Sequence, residues 1–298
     1  MSYHNPVLLQ ESIDALAIKK DGIYVDVTFG GGGHSREILN RLGANGKLFA
    51  FDQDPDATAN SINDVRFVLI PENFRFISRF LRFHGVRKVD GILADLGVSS
   101  HQFDKAERGF STRFDGDLDM RMNQKSTVSA KEIIHTYTEE RLAEILFMYG
   151  ELRNSKNIAK TIVEQRQINK IETSFQLRQV LQKFLPKAKE HKIIAQIFQA
   201  FRIEVNEELE VLKEFLLQTP NLLTQQGRLS IISYHSLEDR LVKRFISTGL
   251  FSGELEKDVF GNTKEPLQKV GKLMVPSKEE IHTNNRARSA KLRIAKLK

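Results

Sequence analysis

The chain has 298 residues, with 45 Lys and Arg against 38 Asp and Glu and a formal net charge of +7. The segment from Lys269 to Lys298 holds nine Lys and Arg and two Asp and Glu, so this tail carries the whole surplus and the rest of the chain is neutral, which excludes a uniformly basic coat protein for nucleic acid. The absence of cysteine excludes a disulfide framework, a thiolate zinc site and a cysteine nucleophile.

The sequence shows no sign of membrane insertion or export. No apolar run approaches the roughly 18 to 20 residues that cross a bilayer. The first residues, MSYHNPVLLQES, lack the charged and apolar regions of a secretion signal. We therefore expect a cytoplasmic protein that makes no membrane contact.

Strand and helix patterns alternate in the first hundred residues. A short helical pattern at 7–18 comes first, and the later helices and strands are predicted at 23–27 (strand), 35–42 (helix), 47–51 (strand), 55–63 (helix), 66–70 (strand) and 91–96 (strand). Strands separated by helices indicate βαβ units and a buried parallel sheet. The expected fold class is α/β, with a Rossmann-like sheet.

The character of the sequence changes near residue 105. Apolar residues from Ile194 to Leu216 recur every three or four positions, which predicts one long amphipathic helix. We expect an inserted helical domain at 105–205 that recognises the substrate, and a discontinuous sheet domain made of 1–104 and 206–298. Within the second part, the remaining features are a strand at 228–234, a helix at 237–247, a stretch without clear period at 249–280 and a final strand at 292–295.

The strongest local motif is DVTFGGGGHS, at residues 26–35, between a predicted strand and a predicted helix. Four consecutive glycines let the backbone approach a ligand at the carboxyl edge of a sheet. Asp52 follows at the distance where an acidic side chain meets a ribose diol. The glycine spacing is a poor dinucleotide fingerprint, and a nucleoside cofactor such as S-adenosylmethionine fits at least as well. Both cofactor classes stay open on spacing alone.

Asp95 follows the fourth predicted strand, so we expect it at the same edge of the sheet. A helix cap is the alternative interpretation for this carboxylate. Ser99, Ser100 and His101 come shortly after it, but no G-x-S-x-G elbow is present, which argues against a serine hydrolase. Asp115, Asp117 and Asp119 alternate like a calcium loop, yet Met120 stands where that loop needs glycine, so no metal site is predicted.

Taken in order, the motifs resemble one family closely. They are HNPVLLQE from residue 4, DVTFGGGGHS, FDQDP, ILADLGVSS, ERGFS, DGDLDMRM, FQAFRIEVNEEL, RLSIISYHSLEDR and NNRARSAKLR. Together they cover essentially the whole chain and resemble the bacterial MraW/RsmH methyltransferases. The resemblance implies methylation of the exocyclic N4 of one cytidine in the decoding region of small-subunit (16S) ribosomal RNA, with S-adenosylmethionine as methyl donor.

The resemblance also implies roles for individual residues. The expected cofactor-binding residues are Gly32, Gly33, His34, Asp52, Phe74, Asp95 and Gln102. The family usually has Pro at the position of Asp117, Phe at that of Tyr234 and Pro at that of Asn285. The first difference leaves open the shape of the acidic loop at 115–119.

For the chemistry, we expect Asp95 or adjacent backbone carbonyls to accept the protons of the cytosine amino group, with Asp115 as a second candidate. Arg286 and Arg288 in the basic tail are expected to contact RNA phosphates. The expected partner is small-subunit ribosomal RNA, in the assembled 30S subunit, and the apolar helix stripe allows a homodimer. Two other classes stay open: a nicotinamide-dependent oxidoreductase and a noncatalytic RNA-binding ribosome-assembly factor.

Overall fold

Seven strands of the described residues form one mixed sheet in the computed structural model, which describes residues 6–254 and 265–298. Their bounds are β1 (Ile23–Asp26), β2 (Lys47–Phe51), β3 (Phe67–Ile70), β4 (Val89–Asp95), β5 (Leu223–Ser233), β6 (Leu267–Met274) and β7 (Lys291–Leu297). They stand in the order β3-β2-β1-β4-β5-β7-β6. Strands β1 to β5 run parallel, and β7 is antiparallel to β5 and β6. The predicted α/β class with a Rossmann-like sheet is confirmed.

The helices, in chain order, are α1 (Leu9–Ala15), α2 (Gly33–Arg41), α3 (Ile77–Phe83), α4 (Ser100–Asp104), α5 (Ala130–Thr136), α6 (Glu139–Met148), α7 (Ser155–Arg166), α8 (Ser174–Val180), α9 (Glu190–Asn206), α10 (Glu208–Leu222), α11 (Ser236–Thr248) and α12 (Lys278–Thr283). Among the described residues, no helix is both long enough and apolar enough to cross a membrane.

The central strands are buried on both faces, as parallel strands covered by helices must be. In β1, Val25 belongs to one apolar cluster and the adjacent Tyr24 belongs to another. In β2, Phe49 belongs to the first cluster and Leu48 to the second. Helices α3, α10 and α11 contribute to the first cluster, and α1 and α2 contribute to the second.

The chain divides into two compact units. One comprises the chain up to Gly97 and from Leu209 to Lys298, and it contains the whole sheet. The other comprises Val98–Glu208 and contains α4 to α9 around its own apolar core. The predicted borders lay after residue 104 and after residue 205. The assignment of the helical unit to substrate recognition stays a prediction.

The prediction of one long helix through residues 194–216 is wrong, because the chain forms α9 and α10 with a break between them. Glu207 has a φ of 50°, in the left-handed region, which ends α9. The preceding Asn206 donates its side-chain amide to the carbonyl of Met120 and accepts from the backbone N–H of Met122. An apolar period continues across the break, so periodicity alone could not reveal it.

The structure also differs from the sequence predictions at 249–280 and at 55–63. The stretch at 249–280, which showed no clear period, contains strand β6. Most residues of β6 are exposed, and the strand pairs with β7 at the edge of the sheet. Residues 255–264 of that stretch, and the first two residues of the HNPVLLQE motif, lie outside the described residues. The helix expected at 55–63 is a 3-10 helix at Pro55–Asn60.

Candidate active site

The glycine-rich loop connects β1 to α2 at the carboxyl edge of the sheet. Gly30 and Gly32 have φ angles of 50° and 74°, which glycine adopts at no steric penalty. A Cβ atom on Gly33 would lie 2.2 Å from Cγ of Pro6, and one on Gly32 would lie 2.9 Å from the ring of Phe29. Side chains are therefore excluded at both positions, and the backbone itself forms this part of the surface.

Asp26, the last residue of β1, is fully buried beneath that loop. Its carboxylate accepts hydrogen bonds from the Ser35 hydroxyl at 2.7 Å and from the Thr28 backbone N–H at 3.0 Å. Burial raises the pKa of Asp26. These bonds tie the strand end to the loop and to the first turn of α2. The sequence interpretation did not single out Asp26, although a carboxylate that ends a strand before a glycine run was the available signal.

Asp52 follows β2 directly and holds the glycine loop from the neighbouring strand. Its Oδ2 accepts the backbone N–H of Gly30 at 2.7 Å, and its Oδ1 accepts that of Asp54 at 2.8 Å. Burial raises the pKa of Asp52 to about 6, against the effect of these two hydrogen bonds. Each carboxylate oxygen retains a further lone pair. Asp52 therefore has the acceptor capacity that the predicted contact with a ribose diol requires.

Asp95 ends β4 and lies at the same edge of the sheet. Its backbone N–H donates to the Thr28 hydroxyl at 2.7 Å, which links β4 to the glycine loop. Its Oδ1 accepts a hydrogen bond from the Tyr234 hydroxyl at 2.7 Å. Burial raises the pKa of Asp95 to about 6, and the charge of His34 and the bond from Tyr234 partly oppose the rise. The carboxyl group therefore changes protonation close to neutral pH.

His34 in α2 connects the glycine motif to Asp95. Its Nε2 lies 3.2 Å from the backbone carbonyl of Val7, and a carbonyl can only accept, so Nε2 carries the hydrogen. Its Nδ1 faces Oδ2 of Asp95 at 3.8 Å. His34 is buried. The bond to Val7 therefore fixes the ring with Nδ1 toward Asp95.

Tyr234 follows β5, which pairs with β4 so that Ile232 lies beside Asp95. Burial raises the pKa of Tyr234 well above 10, so its hydroxyl stays protonated and donates. The sequence interpretation quoted the string around Tyr234 but gave the residue no role. The available signal was a hydroxyl at the end of a strand, at a position where the resembled family usually has Phe.

Phe74 lies in a 3-10 turn, Phe74–Phe76, beyond the carboxyl end of β3. Its ring packs edge-on against Phe215 of α10, with the ring centroids 5.3 Å apart. The adjacent Asn73 donates its side-chain amide to Gln53 at 2.9 Å. The turn is therefore fixed beside the segment that follows β2, which places an aromatic ring at the same edge as Asp52.

Comparison with known proteins identifies the group to which this chain is related. A model of the MraW methylase family matches residues 1–298. The chain belongs to the MraW methylase family.

Similar proteins match this MraW methylase over almost its whole length. Ribosomal RNA small subunit methyltransferase H of Christiangramia forsetii is 65% identical over 296 residues, with 99% of this chain and 98% of the relative covered. The protein of that name from Flavobacterium johnsoniae is 64% identical, with 99% and 98% covered. The one from Bacteroides fragilis is 54% identical, with 100% and 98% covered.

The helical unit contains two of the predicted site residues, Gln102 and Asp115. Gln102 is buried, and its side chain accepts the backbone N–H of Ser99 to complete a capping box at the start of α4. Asp115 accepts the backbone N–H of Phe175 in the first turn of α8 at 3.0 Å, and this bond lowers its pKa. These contacts give both side chains a local structural role. Their predicted parts in binding and catalysis stay predictions.

Arg286 and Arg288 are exposed on a 3-10 turn at Asn285–Ser289. Ala287 between them is buried in an apolar cluster with Val7. The carbonyl of Val7 is the group that orients His34. The basic turn therefore packs against the segment that holds one side of the candidate site, while its contact with RNA stays a prediction.

Proposed function

We propose that this protein is an S-adenosylmethionine-dependent methyltransferase that methylates the exocyclic N4 of one cytidine in the decoding region of small-subunit ribosomal RNA. The observation that carries the proposal is the pairing of Asp95 with Tyr234 and His34 at the sheet edge that also holds the glycine loop and Asp52. Membership of the MraW methylase family supports it. The enzyme acts in the cytoplasm on the assembled 30S subunit.

The residues at the sheet edge fit the cofactor. Gly32 and Gly33 have no room for a side chain against Phe29 and Pro6, so this loop would meet the cofactor with its backbone. Asp52 would hold the two ribose hydroxyls with the lone pairs that its backbone bonds leave. Phe74 would pack beside the adenine, and Gln102 is a further proposed cofactor contact. Bound S-adenosylmethionine supplies a methyl group on a positively charged sulfur.

The exocyclic nitrogen of the substrate is a weak nucleophile because its lone pair is delocalised into the cytosine ring. Asp95 accepts a hydrogen bond from the amino group, which orients the nitrogen lone pair toward the methyl group. As the N–C bond forms and the S–C bond breaks, the nitrogen becomes positively charged. Asp95 takes one proton from it. Direct transfer needs no covalent enzyme intermediate, and the chain has no cysteine for the covalent route to the C5 carbon of a pyrimidine.

The proton that Asp95 accepts must then leave the carboxyl group. With a pKa of about 6, Asp95 is largely ionised at neutral pH and still basic enough to accept a proton. The side chain of Asp95 is 22% exposed, so water can take the proton from it. His34 would be part of the cofactor cradle and faces Oδ2 of Asp95 from α2, with Nε2 bonded to Val7. The contact of Asp115 with α8 makes it the weaker candidate for this step.

A cytidine in folded RNA must leave its base stack to reach a pocket at the edge of a sheet. We assign the grip on the RNA to the helical unit and to Arg286 and Arg288. The helical unit has its own core, so it can present a fixed surface to the substrate.

The test is transfer of label from methyl-labelled S-adenosylmethionine to assembled small subunits or to protein-free ribosomal RNA. We expect label in the RNA of the subunits and a loss of about 100- to 10,000-fold in rate for Asp95→Ala, the range for removal of a general base. Asp90→Asn is the matched control, because Asp90 lies on the same strand but pairs with Lys19 at the other end. Its rate should match that of the wild type.

Other outcomes would favour the alternatives. Calorimetry that detected tight binding of NAD and none of S-adenosylmethionine would support an oxidoreductase. RNA binding without transfer of label to any RNA would support a noncatalytic assembly factor. Full activity of Asp95→Ala would remove Asp95 from the mechanism.

A further inference from the structure

An exposed face of α3 combines aromatic and basic side chains. Phe76, Arg79 and Phe83 follow one another at spacings of three and four residues, so they share one side of the helix. Phe76 is 42% exposed and Phe83 is 83% exposed, whereas Ile77 and Leu81 on the opposite side are buried in the core. The ring of Phe83 packs edge-on against that of His84, with centroids 5.3 Å apart, and leaves most of its surface open to solvent.

Helix α10 forms the other wall of a groove along this face, lined by Glu214, Leu217 and Gln218. Arg75 makes two hydrogen bonds to Glu214, at 2.9 and 2.6 Å. Gln218 donates to the carbonyl of Arg75 at 2.8 Å and accepts the backbone N–H of Ser78 at 3.2 Å. These bonds hold the two walls together, so the groove is preformed.

The free charge around the groove is positive. Arg79, Arg82 and Arg87 are exposed, and within the part of the chain that the structure describes none of the three forms an ion pair with a carboxylate. Glu214, the acidic residue of the groove, is neutralised by Arg75. Unpaired guanidinium groups next to exposed rings match a ligand that carries both phosphates and flat bases.

We propose that the groove between α3 and α10 binds a single-stranded segment of the RNA substrate, with Arg79 and Arg82 contacting phosphates and Phe83 stacking on a base. The inference rests on the proposed RNA substrate and adds a second contact surface to it. A second copy of the chain is a poorer occupant, because a twofold interface on this face would bring the arginines of the two copies together.

The position of the groove agrees with this use. Phe76 comes two residues after Phe74, the ring assigned to the adenine, and α10 packs against Phe74 through Phe215. The groove therefore begins on the elements that form one side of the candidate site. RNA that leaves the site along this side meets the guanidinium groups of α3.

The test is the binding of the full-length protein to a fluorescently labelled, single-stranded oligouridylate, followed by anisotropy over a range of salt concentrations. Replacement of both Arg79→Gln and Arg82→Gln should lower the salt slope of log K by roughly 1.4, since each single-strand phosphate contact contributes about 0.7. Phe83→Ala should weaken binding by about five- to a hundredfold and leave the salt slope unchanged, because stacking releases no counterions.

Two controls keep the result specific. Lys47→Gln removes an exposed charge at the start of β2, and Val65→Ala removes an exposed apolar side chain two residues before β3. Both should bind the oligonucleotide as the wild type does. Equal binding by the groove variants and the controls would overturn the proposal. So would a wild-type dimer that Phe83→Ala converts to a monomer with unchanged RNA binding, since the face would then be a protein interface.

The methyl-transfer assay separates this inference from the proposed function. Groove variants that bind oligouridylate like the wild type, in a protein that methylates ribosomal RNA, refute the groove alone. A wild-type protein that transfers no methyl group to RNA refutes the proposed function, while the binding comparison still decides whether the groove holds single-stranded RNA.

Discussion

The hydrogen bond from Tyr234 to Asp95 offers a sharp test of the proposed mechanism. Tyr234→Phe removes one hydroxyl and keeps the ring that packs beside Asp95. The bond stabilises the ionised form of Asp95, since a hydroxyl that stays protonated donates to a carboxylate. Without it the pKa of Asp95 rises further above its usual value. Because the base must be ionised to accept a proton, the acid limb of the pH-rate profile should move to higher pH.

The size of the shift follows from the contact. Hydrogen bonds to charged groups contribute about 1.5 to 3 kcal/mol. The side chain of Asp95 is 22% exposed, so water replaces part of the loss, and we take about 1.4 kcal/mol, or about one pKa unit. The midpoint of the acid limb should then move from about pH 6 to about pH 7. At about pH 6 the ionised fraction falls from about one half to about one tenth, a roughly fivefold loss of rate.

The assay is the pH dependence of kcat/KM for methyl transfer to small subunits. Tyr234→Phe and the wild type should differ about fivefold near pH 6 and converge above about pH 8. Tyr24→Phe is the matched control, because it also removes the hydroxyl of a buried tyrosine, one that accepts the backbone N–H of Lys19. Its acid limb should not move. An acid limb that stays near 6 in Tyr234→Phe, or moves to lower pH, would refute the role of Asp95 as the proton acceptor.

Three further predictions concern stability and RNA contact. Asp95→Asn should stabilise the fold at about pH 8 by up to about 3 kcal/mol, because burial raises the folded pKa of Asp95 from 3.8 to about 6 and the ionised group destabilises the folded state. Urea unfolding should show this gain shrinking as the pH falls through 6 toward 4, and a gain independent of pH would contradict the account. Gly33→Ala places a Cβ atom against Pro6 and should lower stability by about 1 to 3 kcal/mol and weaken cofactor binding, as measured by thermal unfolding and calorimetry; no change in either would remove the steric argument. Replacement of Arg286 and Arg288 by Gln should weaken RNA association and flatten its salt dependence, and an unchanged salt slope would exclude both from phosphate contact.

The sequence was sufficient to predict the parallel part of the sheet. Strands β1, β2 and β4 are buried on both faces and are separated by helical segments, so their apolar runs are distinct. The exposed edge strand β6 has no such run and is defined by its pairing with β7. The break at Glu207 depends on contacts of Asn206 with residues far away in sequence, which a local pattern does not contain.

The same division holds for the candidate site. Asp52 and the glycine loop lie within one βαβ unit, so spacing was enough to predict that they meet. The bond between Asp95 and Tyr234 joins strands that are adjacent in the sheet but separated in sequence by the whole helical unit. The orientation of the His34 ring depends on the carbonyl of Val7, which only the folded structure brings into contact with it.

The central claim is the identity of the atom that receives the methyl group. The most direct measurement is digestion of small-subunit ribosomal RNA, after reaction with methyl-labelled S-adenosylmethionine, followed by chromatography and mass spectrometry of the nucleosides and mapping of the labelled fragment. We expect label in N4-methylcytidine at one position of the decoding region, and no label there after reaction with Asp95→Ala. Label in 5-methylcytidine, in a ribose-methylated nucleoside or outside small-subunit RNA would contradict it.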